Sequence, residues 1–481
     1  MKLLKTFFKI GCILLLLSQL SCRKDFDSIV SNGNLSFSVD TLFLDTVFNN
    51  LSTTTHLLTV YNKSNNDITI PKIKLAKSNS KYRINVDGVS GTEIDDVLLL
   101  KKDSLFVFVE ATASAQDTDT EMLYIDQILF DPNGNQQDVD LVTLVQDAEF
   151  LFPTTGTDFE ITETNFTNTK PYVIYGNAIV PENGSLTIEA GTTVHFNENA
   201  SLTISAGATL NINGTLTDSI VFKGDKLSYQ FDQVPGQWQG IKIGENTNVT
   251  INYLKILNPS TGIEIIENTN TLTIQNTKIY NAADYGIYTQ NTNLNASNIV
   301  IGQTGKSALY LQGGTYNFTH CTFANYWNKG LRYKDNVVIS NYYVNNDVTA
   351  NAPLQNADFI NCIIAGTRTN EITLDKSEDE PVFNFYFKNS LIHLEKEVEF
   401  YDTDNTTYYQ NVYLNKKTDF KDTSLNDLRI GLDNEGINKA DITAASTVDL
   451  DITGTDRTVN PDIGAYQHID FKTLEPKEED E

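Results

Sequence analysis

From Gly240 onward the chain repeats itself about every 22 residues, and this repeat constrains the fold more than any other feature. Gly240-Ile241, Gly262-Ile263, Gly286-Ile287, Ala308-Leu309 and Gly330-Leu331 follow one another at spacings of 22, 24, 22 and 22. A second column runs through Ile256, Ile279, Ile301, Phe323, Ile364, Ile392 and Leu414. Two residues before each lie Leu254, Thr277, Ile299, Cys321, Cys362, Ser390 and Val412. Period 2 within a segment is the signature of a strand, because successive side chains point to opposite faces. A fixed longer period between segments means that such strands stack coil on coil. Upstream, Ser185-Leu186-Thr187-Ile188-Glu189-Ala190-Gly191 returns 16 residues later as Ser201-Leu202-Thr203-Ile204-Ser205-Ala206-Gly207, which reads as a shorter first period.

A third column fixes the corner of each coil. Asn276, Asn298, His320, Asn361, Asn389 and Asn411 precede the inward pair. The in/out phase shifts across them, as a two-residue bend requires. Asn tolerates the left-handed conformation such a bend needs, and stacked Asn amides can bond one another along the axis. These residues resemble the asparagine ladder of right-handed parallel β-helices of the pectate-lyase type, over roughly 170–415. Trp238-Gln239-Gly240-Ile241 is similar to the Trp-x-Gly-Ile strand found where such helices enter their longer coils. The resemblance implies an all-β chain with a right-handed parallel β-helix over 150–415. Residues 416–470 carry Asp449-Leu450-Asp451, Arg457 and Asp462-Ile463-Gly464-Ala465-Tyr466. They resemble the closing segment of bacterial surface β-helix proteins, and are expected to cap the open end, where strand edges would otherwise be bare.

Residues 33–149 read as about seven short strands, among them Leu57–Tyr61, Tyr82–Val86, Leu105–Val109 and Leu141–Val145, with turn clusters between them. Pro132-Asn133-Gly134-Asn135 reads as a hairpin turn. This suits an immunoglobulin-like β-sandwich. The strand order resembles the Hydin-type immunoglobulin-like domains, which implies a spacer or adhesion module.

Lys2, Lys5 and Lys9 precede the apolar run Ile10 to Leu17, the pattern of an export signal. The run is too short to span a bilayer, which takes about 20 residues. Gln19-Leu20-Ser21-Cys22 resembles the lipobox of bacterial lipoproteins. That implies a signal peptide over 1–21, an acylated Cys22, a linker over 22–32 and a lipid anchor in the outer membrane. Arg23-Lys24-Asp25-Phe26-Asp27 resembles the signal that sends lipoproteins of Bacteroidota-type bacteria to the cell surface. The net charge of −27 argues against a nucleic-acid binder, which needs a cationic face, and the acidic stretch 471–481 reads as a disordered tail.

No motif compels an enzyme. β-Helices of the resembled type host pectate lyases and polygalacturonases, but fold does not carry function. The outward column after each bend reads Lys255, Lys278, Val300, Thr322, Ile363, Leu391 and Tyr413, without a carboxylate. A glycosidase needs facing carboxylates. Val300, Ile363, Leu391 and Tyr413 form an apolar strip that something must cover. Cys321 to Cys362 is 41 residues where 22 is expected, so residues 328–357 read as a long loop, and long loops on a rigid scaffold tend to carry function. Tyr326, Trp327, Tyr342 and Tyr343 are the candidate sugar platforms. Glu371, Asp375, Glu378, Asp379 and Glu380, beside Glu395, Glu397, Glu399, Asp402 and Asp404, offer oxygens that would suit calcium; no other cofactor is indicated. Cys321 and Cys362 share one inward column, which leaves a disulfide open in an exported protein. His320 occupies the Asn column and has no metal-ligand spacing. The reading favoured is a non-catalytic binding or adhesion module, for glycan (polysaccharide) or surface protein. The alternatives are a polysaccharide lyase or glycosidase and a structural envelope component.

Overall fold

The computed structural model describes residues 27–474, apart from 50, 113–120, 132–133, 346, 381 and 396–398. The export signal, Cys22, Glu397, part of the Pro132 turn and the end of the tail lie outside the described residues. The chain divides into two compact units between Gln146 and Asp147.

The first unit is a β-sandwich. Its smaller sheet runs Ser36–Phe37, His56–Tyr61, Ser104–Ala111, Tyr82–Val86 and Val89–Gly91 in spatial order. The larger is built on Ile68–Leu75, Glu121–Phe130 and Gln137–Gln146. Alternate residues from both sheets meet in one core, with Val60, Ile84, Val107, Ile70, Ile128 and Leu141 all buried. Tyr82, buried between them, donates its hydroxyl to Tyr124 O at 2.9 Å and pairs with the Thr143 hydroxyl at 3.0 Å. The strand Glu93–Leu99 breaks the apolar pattern with three acids. It is held on the sheet edge by Lys72, which pairs with Glu93 and Asp95.

The second unit is a parallel β-helix with three faces. Face 1 includes Gly240–Ile243, Thr261–Ile266 and Val337–Ser340; face 2 includes Asn248–Asn252, Thr271–Gln275 and Leu354–Ile360; face 3 includes Leu254–Leu257, Lys278–Ala282 and Val300–Thr304. Every ladder between coils is parallel, and the third face alone stacks eleven strands. Faces 1 and 2 merge where Tyr285–Ser297 and Ser307–Thr319 run unbroken round the corner. The similar heptapeptides at 185 and 201 are not successive coils. Ser185–Glu189 pairs with Thr209–Asn213, 24 residues on, and Ser201–Ile204 pairs with Asn177–Val180. The short period relates two faces of the coils, each needing the same in/out alternation.

The corner column behaves as its chemistry demands. Asn276, Asn298, His320, Asn361, Asn389 and Asn411 all have φ between 44° and 58°. Asn276 donates to Asn252 Oδ1 at 2.8 Å, and Asn298 to Asn276 Oδ1 at 2.9 Å. Asn361 donates to His320 Nε2 at 2.9 Å, and His320 Nδ1 donates to Gly464 O at 3.2 Å. Those two bonds fix the neutral imidazole, and burial holds its pKa well below the ordinary value. Trp238 is fully buried, stacks on Phe196 at 4.1 Å and donates Nε1–H to Leu257 O. Gly240 follows at φ 109°, where a Cβ would stand 1.7 Å from Thr261 O.

The C-terminal segment closes the helix along its flank rather than across its end. Leu428, Ile430, Ile452, Ile463, Ala465 and Tyr466 bury the outward strip Val300, Ile363 and Leu391 in a second core. Gly464 N donates to Asn361 O and Ala465 N to Thr322 Oγ1. Gly464 sits at φ 103°, where a Cβ would meet Ile363 at 2.7 Å. Apolar surface on the flank outweighs the short strand edges of the last coil, because burial scales with area.

Candidate functional site

Face 1 presents a cluster of tyrosines to the outside. The register sets Glu264, Tyr288, Tyr310 and Val338 in one outward column. Tyr285 stands beside it. The ring centroids lie 5.3 Å apart for Tyr285–Tyr288 and 5.5 Å for both Tyr285–Tyr310 and Tyr288–Tyr310. All three rings are half-buried. Lys306 lies over Tyr285 at 5.2 Å and Lys334 over Tyr310 at 5.8 Å, so the cations support the ring faces.

The long insertion borders this cluster. It is not one loop. Residues 337–340 return to face 1 and 354–360 to face 2. The excess is split between residues 326–336 and an antiparallel hairpin of Tyr342–Asn345 with Val348–Asn351. Tyr342 donates its hydroxyl to Asp375 Oδ2 at 2.7 Å, and Tyr343 to Glu267 Oε1 at 3.2 Å. Glu267 also accepts from Asn291 at 3.0 Å. These carboxylates are therefore engaged in holding the hairpin against face 1. The Tyr342 hydroxyl, bonded to Asp375, has its pKa pushed up to about 12. Burial pushes Tyr285 up to about 12 and raises Tyr288 and Tyr310. All five phenols, Tyr343 included, stay protonated near neutral pH.

The other sequence candidates take structural places. Tyr326 packs edge-on against Phe420 at 6.0 Å, under the C-terminal segment, and contributes no platform. Trp327 is half-buried over the turn at Gly305, where a Cβ would lie 3.3 Å from its ring. Cys321 and Cys362 are buried free thiols rather than a bridged pair. Each points along a carbonyl of its own coil, Thr319 O at 3.5 Å and Ile360 O at 3.4 Å. Among the described residues the acidic run does not converge on a cation. Glu371 is fully buried and forks Arg332 at 2.6 and 2.8 Å, and Asp375 serves Tyr342. Among the described residues, no group of three or more His, Cys, Asp or Glu side chains is placed to hold a metal.

Tyr285, Tyr288 and Tyr310 were not singled out from the sequence, although the signal is there. Gly286-Ile287-Tyr288 and Ala308-Leu309-Tyr310 place Tyr at the same outward position 22 residues apart. The inward residues define the repeat, so a pair of outward tyrosines does not stand out against it.

Residues 158–261 match the family described as pectate-lyase like beta helix domain. No curated protein matches the chain. Among solved structures, a protein of unknown function from Porphyromonas gingivalis W83 is similar over 28% of this chain and 58% of its own, at 12% identity and a TM-score of 0.16. That likeness carries no argument. The family match and the stacked parallel coils agree on the fold: the second unit is a parallel β-helix, similar over residues 158–261 to the pectate-lyase-like family.

Proposed function

We propose that the protein binds glycan without cleaving it, through the tyrosine face of its β-helix, as a lipid-anchored protein of the bacterial outer-membrane surface. The tyrosine cluster carries this reading. Three phenol rings within 5.5 Å of one another, edged by amides and hydroxyls, offer apolar ring faces and polar tips, the pairing a sugar ring needs. Gln290 donates to Tyr288 Oη at 2.6 Å and so orients one of these tips. Of the carboxylates nearby, Glu267 and Asp375 hold the hairpin and Asp284 pairs with Lys306; Glu264 stands in the column without a facing carboxylate partner, which supports binding over hydrolysis by a carboxylate pair. The lipobox-like Cys22 supports the anchor, and the Hydin-like N-terminal strand pattern supports a spacer that holds the helix away from the membrane.

The test is retention of the soluble chain, starting after Cys22, on an array of neutral polysaccharides, with reducing and unsaturated ends assayed in parallel. Retention that falls at least tenfold in Tyr288→Ala/Tyr310→Ala is expected, with no new ends. New ends formed by the wild type would overturn the non-catalytic reading. Retention unchanged in the double variant would overturn the site.

A further inference from the structure

A second feature lies on face 3, away from the tyrosines. A cleft of about 1100 Å³ opens between the early coils of that face, the segment 226–237 and the C-terminal segment. The chain as a whole carries 62 acidic residues against 35 basic ones. The cleft inverts that balance. Its lining holds Lys223, Lys226, Lys255, Lys278 and Arg429 against Asp232 and Asp427.

The geometry makes the inversion specific. Lys255 and Lys278 are register partners on adjacent coils, so their backbones are about 4.8 Å apart. Like charges directly opposite in a sheet repel. Within 4 Å neither lysine forms an ion pair, nor does Lys223, among the described residues. Asp427 is already taken, forked by Arg429 at 2.7 and 2.5 Å. Lys278 lies over the ring of buried Tyr466 at 5.7 Å. Burial lowers the pKa of both Lys278 and Lys223, with Lys255 adding to each, against the opposing pull of Asp451 and Asp427 on Lys278 and of Asp232 on Lys223. The rim is ordered: Asn258 donates to Asp232 O at 3.1 Å, and Gln237 to Phe231 O and Val234 O at 2.6 and 2.8 Å.

We propose that this cleft binds a ligand through a compact tetrahedral oxyanion, a sulfate or phosphate group seated between Lys255 and Lys278. Ammonium groups act as mobile point charges that suit such groups. The cleft is many times larger than the ion, so the anion is borne by an organic body that fills the rest. The tyrosine face is not needed for this binding.

The test is calorimetric titration of the soluble chain with inorganic sulfate, inorganic phosphate, and a sulfated disaccharide beside its unsulfated parent. The sulfated sugar is expected to bind at least tenfold tighter than the parent, and to be displaced by inorganic sulfate or phosphate, the stronger competitor naming the anion. Lys255→Gln/Lys278→Gln is expected to weaken it at least tenfold, and Lys278→Arg to keep it within threefold. Tyr288→Ala/Tyr310→Ala should leave it unchanged, which separates this cleft from the proposed sugar face. Thermal unfolding of the double lysine variant should not fall, since a repulsion is removed; if it does fall, Lys278→Gln alone carries the test. Equal affinity for the two sugars, full affinity in the lysine variants, or binding of none of the four probes would overturn the proposal.

Discussion

Replacing Asn361 by alanine probes why the corners are asparagine. Asn361 is fully buried, at φ 58°. An alanine there keeps the left-handed backbone at a cost of about 1 kcal/mol. It also removes three bonds. His320 Nε2 loses its donor, Asp441 O loses a donor at 3.1 Å, and Asp441 N loses its acceptor at 2.6 Å. The buried His320 nitrogen left unpaired costs about 1–2 kcal/mol, and each half-buried Asp441 group about 0.5 kcal/mol, so the sum is about 3 kcal/mol. Asn361→Gly loses the same bonds without the backbone cost and should be about 1 kcal/mol less damaging. Urea unfolding of both variants measures the two terms. Hydrogen exchange across 438–445 locates them, since the bonds to Asp441 tie down the C-terminal segment. An alanine variant within about 1 kcal/mol of wild type would refute the corner argument. A glycine variant no better than alanine would refute its backbone part.

Two further outcomes are expected. Arg332→Met should lower the unfolding free energy by about 3–5 kcal/mol, because it strands the buried Glu371 carboxylate; urea titration at neutral pH reads this. His195 is buried, and its pKa is lowered to about 3, chiefly by burial, whereas the unfolded value is about 6.5. Its contribution is complete above pH 6.5. It is lost as pH falls towards the folded value, at about 1.4 kcal/mol per pH unit, because only the unfolded chain takes up the proton. His195→Asn should flatten that part of the stability–pH curve.

The features legible in the sequence are those a single coil must satisfy by itself. An inward Ile every second position and an Asn at each corner are local demands of burial and backbone angle, so they recur and show as columns. Features that depend on which coil lies beside which left weaker marks. Tyr288 and Tyr310 come together because their coils are neighbours, and Lys255 with Lys278 for the same reason. Arg332 and Glu371, 39 residues apart, show no common pattern until residues 328–336 fold back over the coil. The apolar strip Val300, Ile363 and Leu391 predicted a cover, but several covers were open. The choice of the C-terminal segment rests on Gly464 and Ala465, whose backbone fits against Asn361 and Thr322.

That cover changes what kind of object the solenoid is. In a simple stack each coil speaks only to its neighbours, and coils can be added or lost along the row at little cost. Here Asn426 donates to Asn281, Ala465 to Thr322, and Asn389 to Lys439 O, so one strand of chain reads off the positions of coils far apart in the row. An inserted coil would slide those contacts out of step by one rung. The C-terminal segment thereby acts as a ruler, and a lineage carrying it can vary its loops freely but not the number of turns between its first and last mark.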